Sequence, residues 1–496
     1  MLAEKNKKTK EVMSSWIKKV VKFSNKQFFD RFVIGGIILV GIFWFGVTFL
    51  QYQEYAYRTG DTPVAEQAIW NTAHGRIFYQ SFLQVDTNLR EHLNFVQILY
   101  VPLYAIFPHT LTLFFIIQLS FVLGSIFLYL FVKKRISNLA GAIAVGLFVF
   151  HPLIASQAVG DMHVVSVAGP AFLMLLMAYH EKKYRAFAFW VIFMVFVSEF
   201  VAPTVFLVGA LAFLERRSWR WFTPPALGGA GLFLAAKYYI TIGFGSSANI
   251  LSKFTPQAIM SIYKIEKRLD LIAQSLAPLL WIFTWISKYS LLLIPSLMIA
   301  LFIIIPGRIA GGSHVFILIP PILVLIFVDL LEKFPNFKRQ IMAIAIVGIM
   351  LSLHPWWKHM EIDASDLTAE MDRAVEMVKD GGSLTASTQM GPNLCRREEF
   401  FLPMNEKMTD YVVLKTSKLT KSKNDLENQE LKYDQRIEQS GLYRAIFREG
   451  RVVVFVKKEK IAELMKVAIS EVEAMEESEL QDRWAKVERR VGWLEN

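Results

Sequence analysis

Residues 53–108 read QEYAYRTGDTPVAEQAIWNTAHGRIFYQSFLQVDTNLREHLNFVQILYVPLYAIFP. The segment is polar and dotted with acids, and an apolar run stands on each side of it, Phe32 to Tyr52 before and Thr110 to Val132 after. Runs of about 17 to 25 apolar residues cross a hydrocarbon layer as helices, because a helix satisfies its own backbone polar groups there. The quoted stretch is therefore expected to be a loop between two crossings. Everything around it reads as scaffold, so the chemistry of the chain is sought in this loop.

The composition around the loop agrees. The chain of 496 residues is 54% hydrophobic and 14% aromatic, too apolar for an ordinary soluble globule. Its net charge of +11 sits mostly at the ends of apolar runs, where orientation in a membrane accounts for it and a nucleic-acid partner is not needed. The head up to Arg31 carries eight lysines and no apolar core of the cleavable-signal type. A lysine-rich head is expected on the cytoplasmic side of the plasma or inner membrane, which puts residues 53–108 outside. The single cysteine, Cys395, excludes an intrachain disulfide.

Counted along the chain, about eleven apolar runs are expected to cross. Thr110 to Val132 returns to Lys133, Lys134 and Arg135; Asn138 to Val159 goes out; Val164 to Tyr179 comes back after the tight turn Gly160, Asp161, Met162, His163. His92 to Phe107 is too short to span and reads as an interfacial or re-entrant helix, with Tyr100, Pro102 and Tyr104 at headgroup depth. Ala186 to Leu214 has basic clusters at both ends, so it must turn back, and a break at Ser198, Glu199 and Pro203 is expected. Trp221 to Tyr239 leads to an outer loop, Gly243 to Asp270. Leu271 to Ile286 and Tyr289 to Ile305 then form a hairpin, and Val315 to Leu331 and Ile341 to Trp356 complete the membrane part. The expected division is a basic head (1–31), a transmembrane domain (32–357) and a soluble extracytoplasmic α/β domain (358–496). In the last, Ser365 to Lys379 reads as a helix, Ser383 to Ser387 and Tyr411 to Leu414 as strands, and Glu449-Gly450 as the turn of a hairpin. Ile461 to Trp493 reads as a long charged helix. The tail has no phosphate loop, metal spacing or nucleophile elbow, and its role reads as structural or in docking.

Ionisable groups on the outer side are the candidates, because charge near hydrocarbon is expensive and is kept for a use. Asp61 is either a helix N-cap before Thr62-Pro63 or the acid of a reaction centre. Glu66 and Glu91 are either a solvated helix face or substrate ligands, and His92 and His163 either interfacial or functional. Glu199 resists the bland reading, since a carboxylate inside so long an apolar run needs a partner or a cavity. Asp161-x-His163 with a distant carboxylate such as Asp61 is an adequate oxygen and nitrogen set for a divalent cation such as Mg or Mn.

The string Gly60-Asp61, Glu66-Gln67-Ala68-Ile69-Trp70-Asn71 and His74-Gly75, followed by His92, Val101-Pro102-Leu103-Tyr104 and Gln118, resembles the bacterial and archaeal membrane-protein family known as domain of unknown function 2079. Asp161-Met162-His163 resembles that family's Asp-Phe-His turn and Ser198-Glu199 its Lys-Glu, with Ser198 and Met162 as departures. In the tail, Ser383 to Ser387, Pro392-Asn393-Leu394 with Arg396 and Arg397, and Asp410 to Leu414 fit as well. The family looks related to the GT-C superclass of glycosyltransferases that use polyprenyl-phosphate sugar donors. The resemblance implies an all-α polytopic GT-C-like membrane protein with Asp61 as first-loop base or metal ligand, and Asp161 and His163 as the second-loop pair. Glu66, His92, Glu199, Arg308 and His314 are then expected to bind substrate, Arg308 and His314 at the donor phosphate. The loop bearing Lys253, Lys264, Lys267 and Arg268 is expected to meet lipid headgroups or the donor. Two rival readings stand beside this one: a transporter or flippase with Glu199 as its midplane site, and a non-catalytic membrane scaffold.

Overall fold

The computed structural model describes residues 2–57, 60–81, 87–90, 92–244, 272–273, 275–276, 282–302, 316–362, 364–378, 381–415 and 425–473. Its frame is helical. Helix α1 (Leu2–Gln53) holds the span Gln27–Gln53, α2 (Asp61–Ala73) and α3 (Val101–Ile106) lie in the first loop, and α4 (Thr110–Arg135) is a second span. Next come α5 (Asn138–Val149), α6 (Pro152–Val159), α7 (Ala168–His180), α8 (Tyr184–Val197), α9 (Ala202–Leu214) and α10 (Trp219–Phe244). Ile294–Phe302 (α11), Ile319–Lys333 (α12) and Lys338–Lys358 (α13) complete the membrane part as described.

By length and hydropathy, three helices among the described residues can cross a membrane: Gln27–Gln53, Thr110–Arg135 and Pro335–Lys358. The pair α5 and α6, bent by 59°, makes a fourth when it is taken as one span. These are among the eleven runs expected, and four shorter apolar helices, Val164–His180, Tyr184–Val197, Glu199–Leu214 and Lys288–Ile299, stand beside them among the described residues. Hydropathy counts apolar residues whether or not the helix through them is continuous, and several runs here are broken. His151 and Pro152 part α5 from α6, the His151 imidazole capping Leu153 N at 3.2 Å. Ser198, extended at φ −175°, parts α8 from the short turn Glu199–Val201 that leads into α9. That second break is the one expected within Ala186 to Leu214. The loop Gly243 to Asp270, with its Lys253, Lys264, Lys267 and Arg268, lies almost wholly outside the described residues.

Basic turns gather at one end of the bundle. Lys133 pairs with Asp30, which also accepts from Tyr129 at 2.6 Å and Asn138 at 3.0 Å. Glu332 meets Arg135 at 2.8 Å and His180 at 3.1 Å, while Glu215 meets Lys288 at 2.6 Å and Arg217 at 2.7 Å. These contacts tie together the ends of α4, α7, α9 and α12. Because α4 has 26 residues, its other end lies about 39 Å away. There the first loop and the C-terminal domain meet.

The C-terminal domain is built on a five-stranded mixed sheet in the order β2-β1-β3-β5-β4. Its strands are β1 (Leu384–Ala386), β2 (Phe400–Phe401), β3 (Tyr411–Lys415), β4 (Tyr443–Glu449) and β5 (Val452–Lys457). The expected hairpin is β4–β5, turning at Gly450 with φ +55°. The expected helices correspond to Thr368–Met377 and Lys458–Glu473, and the rest of the latter expectation, 474–493, lies outside the described residues. Strand β2, two residues long, carries no alternation to reveal it.

This domain is fastened to the first loop. Gln67 Nε2 donates to the carbonyls of Arg397 (3.2 Å) and Glu398 (3.0 Å), and Ser81 Oγ exchanges hydrogen bonds with Phe400 O (2.7 Å) and N (2.8 Å). Tyr55 OH reaches Asp372 at 2.8 Å, and Arg76 pairs with Glu398 at 2.9 Å. Gly391 rests so closely on Pro63 that a Cβ there would lie 2.7 Å from the proline Cγ. Gly391→Leu is therefore expected to lower stability by about 1–3 kcal/mol through overpacking. The fall in thermal midpoint of the detergent-solubilised protein measures it, with Gly46→Leu as control, since nothing lies within 4 Å of a Cβ at Gly46.

Candidate active site

Helix α2 begins in an environment that fixes its first turn. Gly60 is the N-cap and Asp61 the first helical residue, so Asp61 does not serve as the cap; the positive end of the helix dipole favours its carboxylate. Thr62, buried next to it, donates from Oγ1 to Asp161 Oδ1 at 3.3 Å and accepts from Met162 N at 2.9 Å. One hydroxyl thus stitches α2 to the turn 160–163. Gly160 permits that turn, since a Cβ there would overlap the Ser156 carbonyl.

The stitch brings His163 Nε2 to 4.0 Å from Asp61 Oδ2, with the His163 side chain 11% exposed and that of Asp61 48%. Burial, and next the charge of nearby His92, pull the His163 pKa down to about 4. An imidazole whose folded pKa lies below its unfolded value near 6.5 adds stability that is present above pH 6.5 and lost as the pH falls towards 4. The loss is expected to reach about 3 kcal/mol. Thermal midpoints between pH 7 and 4 should therefore fall more for the wild type than for His163→Asn.

The second pair at this end is His92 with Glu199. His92 Nδ1 lies 2.7 Å from Glu199 Oε1, and Glu199 Oε2 accepts from Leu93 N at 3.0 Å and Ser198 Oγ at 3.2 Å. A carboxylate only accepts, so Nδ1 carries the proton in this contact. The break after α8 puts Glu199 within reach. Leu93 is buried among Ala202, Leu232 and Ala236, and the His92 ring lies 5.1 Å from that of Phe200, which holds the loop against α9 and α10.

Other expected site residues are placed elsewhere. Glu66 is not at the mouth: it is fully buried and accepts from Tyr104 at 2.8 Å and Thr110 at 2.6 Å, with Cys395 and Arg396 of the C-terminal domain beside it. Burial raises its pKa, against the opposing charge of Arg396. Tyr100 and Tyr104 are likewise buried, their hydroxyls spent on Val164 O and Glu66. Glu91, Arg308 and His314 lie outside the described residues. Thr62 escaped the sequence reading, because a threonine in a first helical turn looks ordinary until the turn it holds is seen.

The expected metal set, Asp61, Asp161 and His163, is gathered in one place. Yet among the described residues no group of three or more His, Cys, Asp or Glu side chains is arranged to hold a metal ion. The chemistry below is derived from the side chains alone.

A family model described as "Predicted membrane protein (DUF2079)" matches residues 61–444. The chain is similar in fold to ArnT from Cupriavidus metallidurans, in a crystal structure bound to undecaprenyl phosphate: TM-score 0.50, 10% identity, 86% of this chain and 98% of that one covered. The apo form of the same protein gives 0.50 at 10% identity, covering 85% and 97%. The apo Archaeoglobus fulgidus oligosaccharyltransferase gives 0.42 at 10% identity, covering 75% and 64%. No curated protein matches. At such identities the likeness is one of fold.

Proposed function

This chain belongs to the DUF2079 family of predicted membrane proteins, and from that premise we propose that it transfers a sugar from a polyprenyl-phosphate donor to an acceptor outside the cell, with Asp61 as the base. The observation that carries the reading is the meeting of Asp61 with His163 and Asp161, about 100 residues apart in sequence, at one end of a GT-C-like bundle. The lysine-rich head supports reading that end as the outer one.

In the proposed step the acceptor's nucleophilic atom attacks C1 of the sugar, and the bond from C1 to the phosphate oxygen breaks with its electron pair going to the phosphate. The acceptor's proton passes to the Asp61 carboxylate. Asp61 is exposed enough to meet the acceptor, and Asp161, held by Thr62, sets the distance to His163. Neutral His163 sits beside the base without competing for its charge. Transport by Glu199 gains no support, because that carboxylate is already engaged by His92, Leu93 and Ser198.

The test supplies radiolabelled polyprenyl-phosphate sugars to membranes containing the protein and follows polyprenyl phosphate release and label transfer. Consumption of at least one donor above protein-free membranes is expected. Folded protein that consumes none of a panel of hexose, pentose and aminosugar donors overturns the reading.

A further inference from the structure

We propose that Gln118, inside α4, is a positioning residue of the transfer reaction: by holding the last turn of α6 it sets Asp161 and His163 against Asp61. The inference rests on the transfer reading above and adds to it a residue that acts through the turn 160–163.

Gln118 belongs to the sequence string that resembles the family. It lies about 12 Å along α4 from Thr110 and is buried, at a depth where a polar side chain is kept for a partner. Its Nε2 donates to Thr48 Oγ1 on α1 at 2.9 Å and to the Ala158 carbonyl at 2.8 Å. A carbonyl only accepts, so the atom facing Ala158 is the amide nitrogen, and both of its hydrogens are used.

Ala158 stands in the last turn of α6, where helix carbonyls have no partner within the helix. For Ser156 O the chain supplies its own, Gly160 N at 3.0 Å. For Ala158 O the partner comes from another helix. This matters because α6 is only eight residues long and is bent 59° from α5, so no long helix carries it. Between Ala158 and Asp161 lies Gly160, which has no side chain to brace the turn. Thr62 grips the far side of the turn, through Asp161 Oδ1 at 3.3 Å and Met162 N at 2.9 Å. Gln118 and Thr62 therefore hold residues 158–162 from α4 and from α2, and His163, next in the chain, is set 4.0 Å from Asp61. Without the Gln118 bonds, Thr62 alone places the turn. A displacement of about 1 Å is then enough to slow a reaction about a hundredfold.

The experiment compares Gln118→Met, which keeps the length of the side chain and loses both donors, with Ser125→Ala on the same helix. Ser125 is buried and donates within α4, to Phe121 O at 2.8 Å, so its loss reports general damage to the helix. With a labelled polyprenyl-phosphate sugar, Gln118→Met is expected to lower kcat about tenfold to a hundredfold and to keep the donor KM within about twofold of wild type, whereas Ser125→Ala keeps both. A second readout needs no catalysis. In an Asp61→Cys, His163→Cys double variant a short thiol–thiol cross-linker joins the two positions, Cys395 being buried. Adding Gln118→Met should slow that cross-linking about tenfold, and adding Ser125→Ala should not.

An unchanged kcat in Gln118→Met while wild type transfers sugar overturns the proposal. So does an unchanged cross-linking rate, or an equal fall for Ser125→Ala. Where Gln118→Met does not fold, Gln118→Asn decides: its amide sits on an arm one methylene shorter, out of reach of Ala158, and it should show the same losses. Slower cross-linking with no transfer by wild type sinks the transferase reading and leaves the placement of the turn by Gln118 standing.

Discussion

Asp61→Asn is expected to cut sugar transfer by about 10²- to 10⁴-fold, the span associated with losing a general base, which corresponds to roughly 3–5 kcal/mol on the barrier. The carboxamide has the same shape and keeps the first turn of α2, since the helix is capped by Gly60 and anchored by Thr62. It cannot take a proton. Initial rates with a donor at saturation measure the loss, and an unchanged thermal midpoint assigns it to chemistry. Asp161→Asn should be milder in rate and costlier in stability, because its carboxylate accepts from Thr62 and steadies the turn bearing His163. Equal rates for wild type and Asp61→Asn would remove Asp61 from the mechanism.

Glu66→Ala is expected to destabilise the protein by about 3–5 kcal/mol, the range for stripping one partner from a buried charged cluster. It leaves the Tyr104 hydroxyl without its acceptor, strips one of the two acceptors that the Thr110 hydroxyl faces, and leaves the Arg396 guanidinium without the nearby carboxylate. Thr110 also donates to Pro392 O, so the loss reaches into the C-terminal domain. Glu66→Gln should cost only about 1 kcal/mol, since the amide oxygen still accepts and burial already pushes this carboxyl towards its neutral form. Thermal midpoints, together with protease release of the C-terminal domain, separate the two variants. Glu66→Ala within 1 kcal/mol of wild type would show that the cluster does not hold the domains together.

Much of the candidate site was legible because it lies in short turns between apolar runs. Charged residues there stand out against their surroundings, as Asp61, Asp161 and His163 do, and Ser198-Glu199 betrayed the helix break by interrupting a run bounded by basic clusters on both sides. What escaped is what depends on long-range contact. Glu66 reads like any loop glutamate, yet its environment is made by Thr110 and by residues near 395. Tyr100 and Tyr104 carry the composition of a membrane interface and are instead packed inside. Helix ends were harder to read: apolar content predicts burial, but the bend at His151-Pro152 and the extended Ser198 decide where a helix actually ends.

The Ser81–Phe400 contact spans 319 residues. At ribosomal rates of about 5–20 residues per second, the first loop leaves the ribosome roughly 15–60 s before its clasp exists. During that interval Gln67 and Ser81 must be kept by water or by a helper protein. A nascent chain released before residue 400 has α1 to α13 but lacks the strand residue that clasps Ser81. On the proposed reading, transfer then has to wait until Phe400 has emerged and joined Ser81.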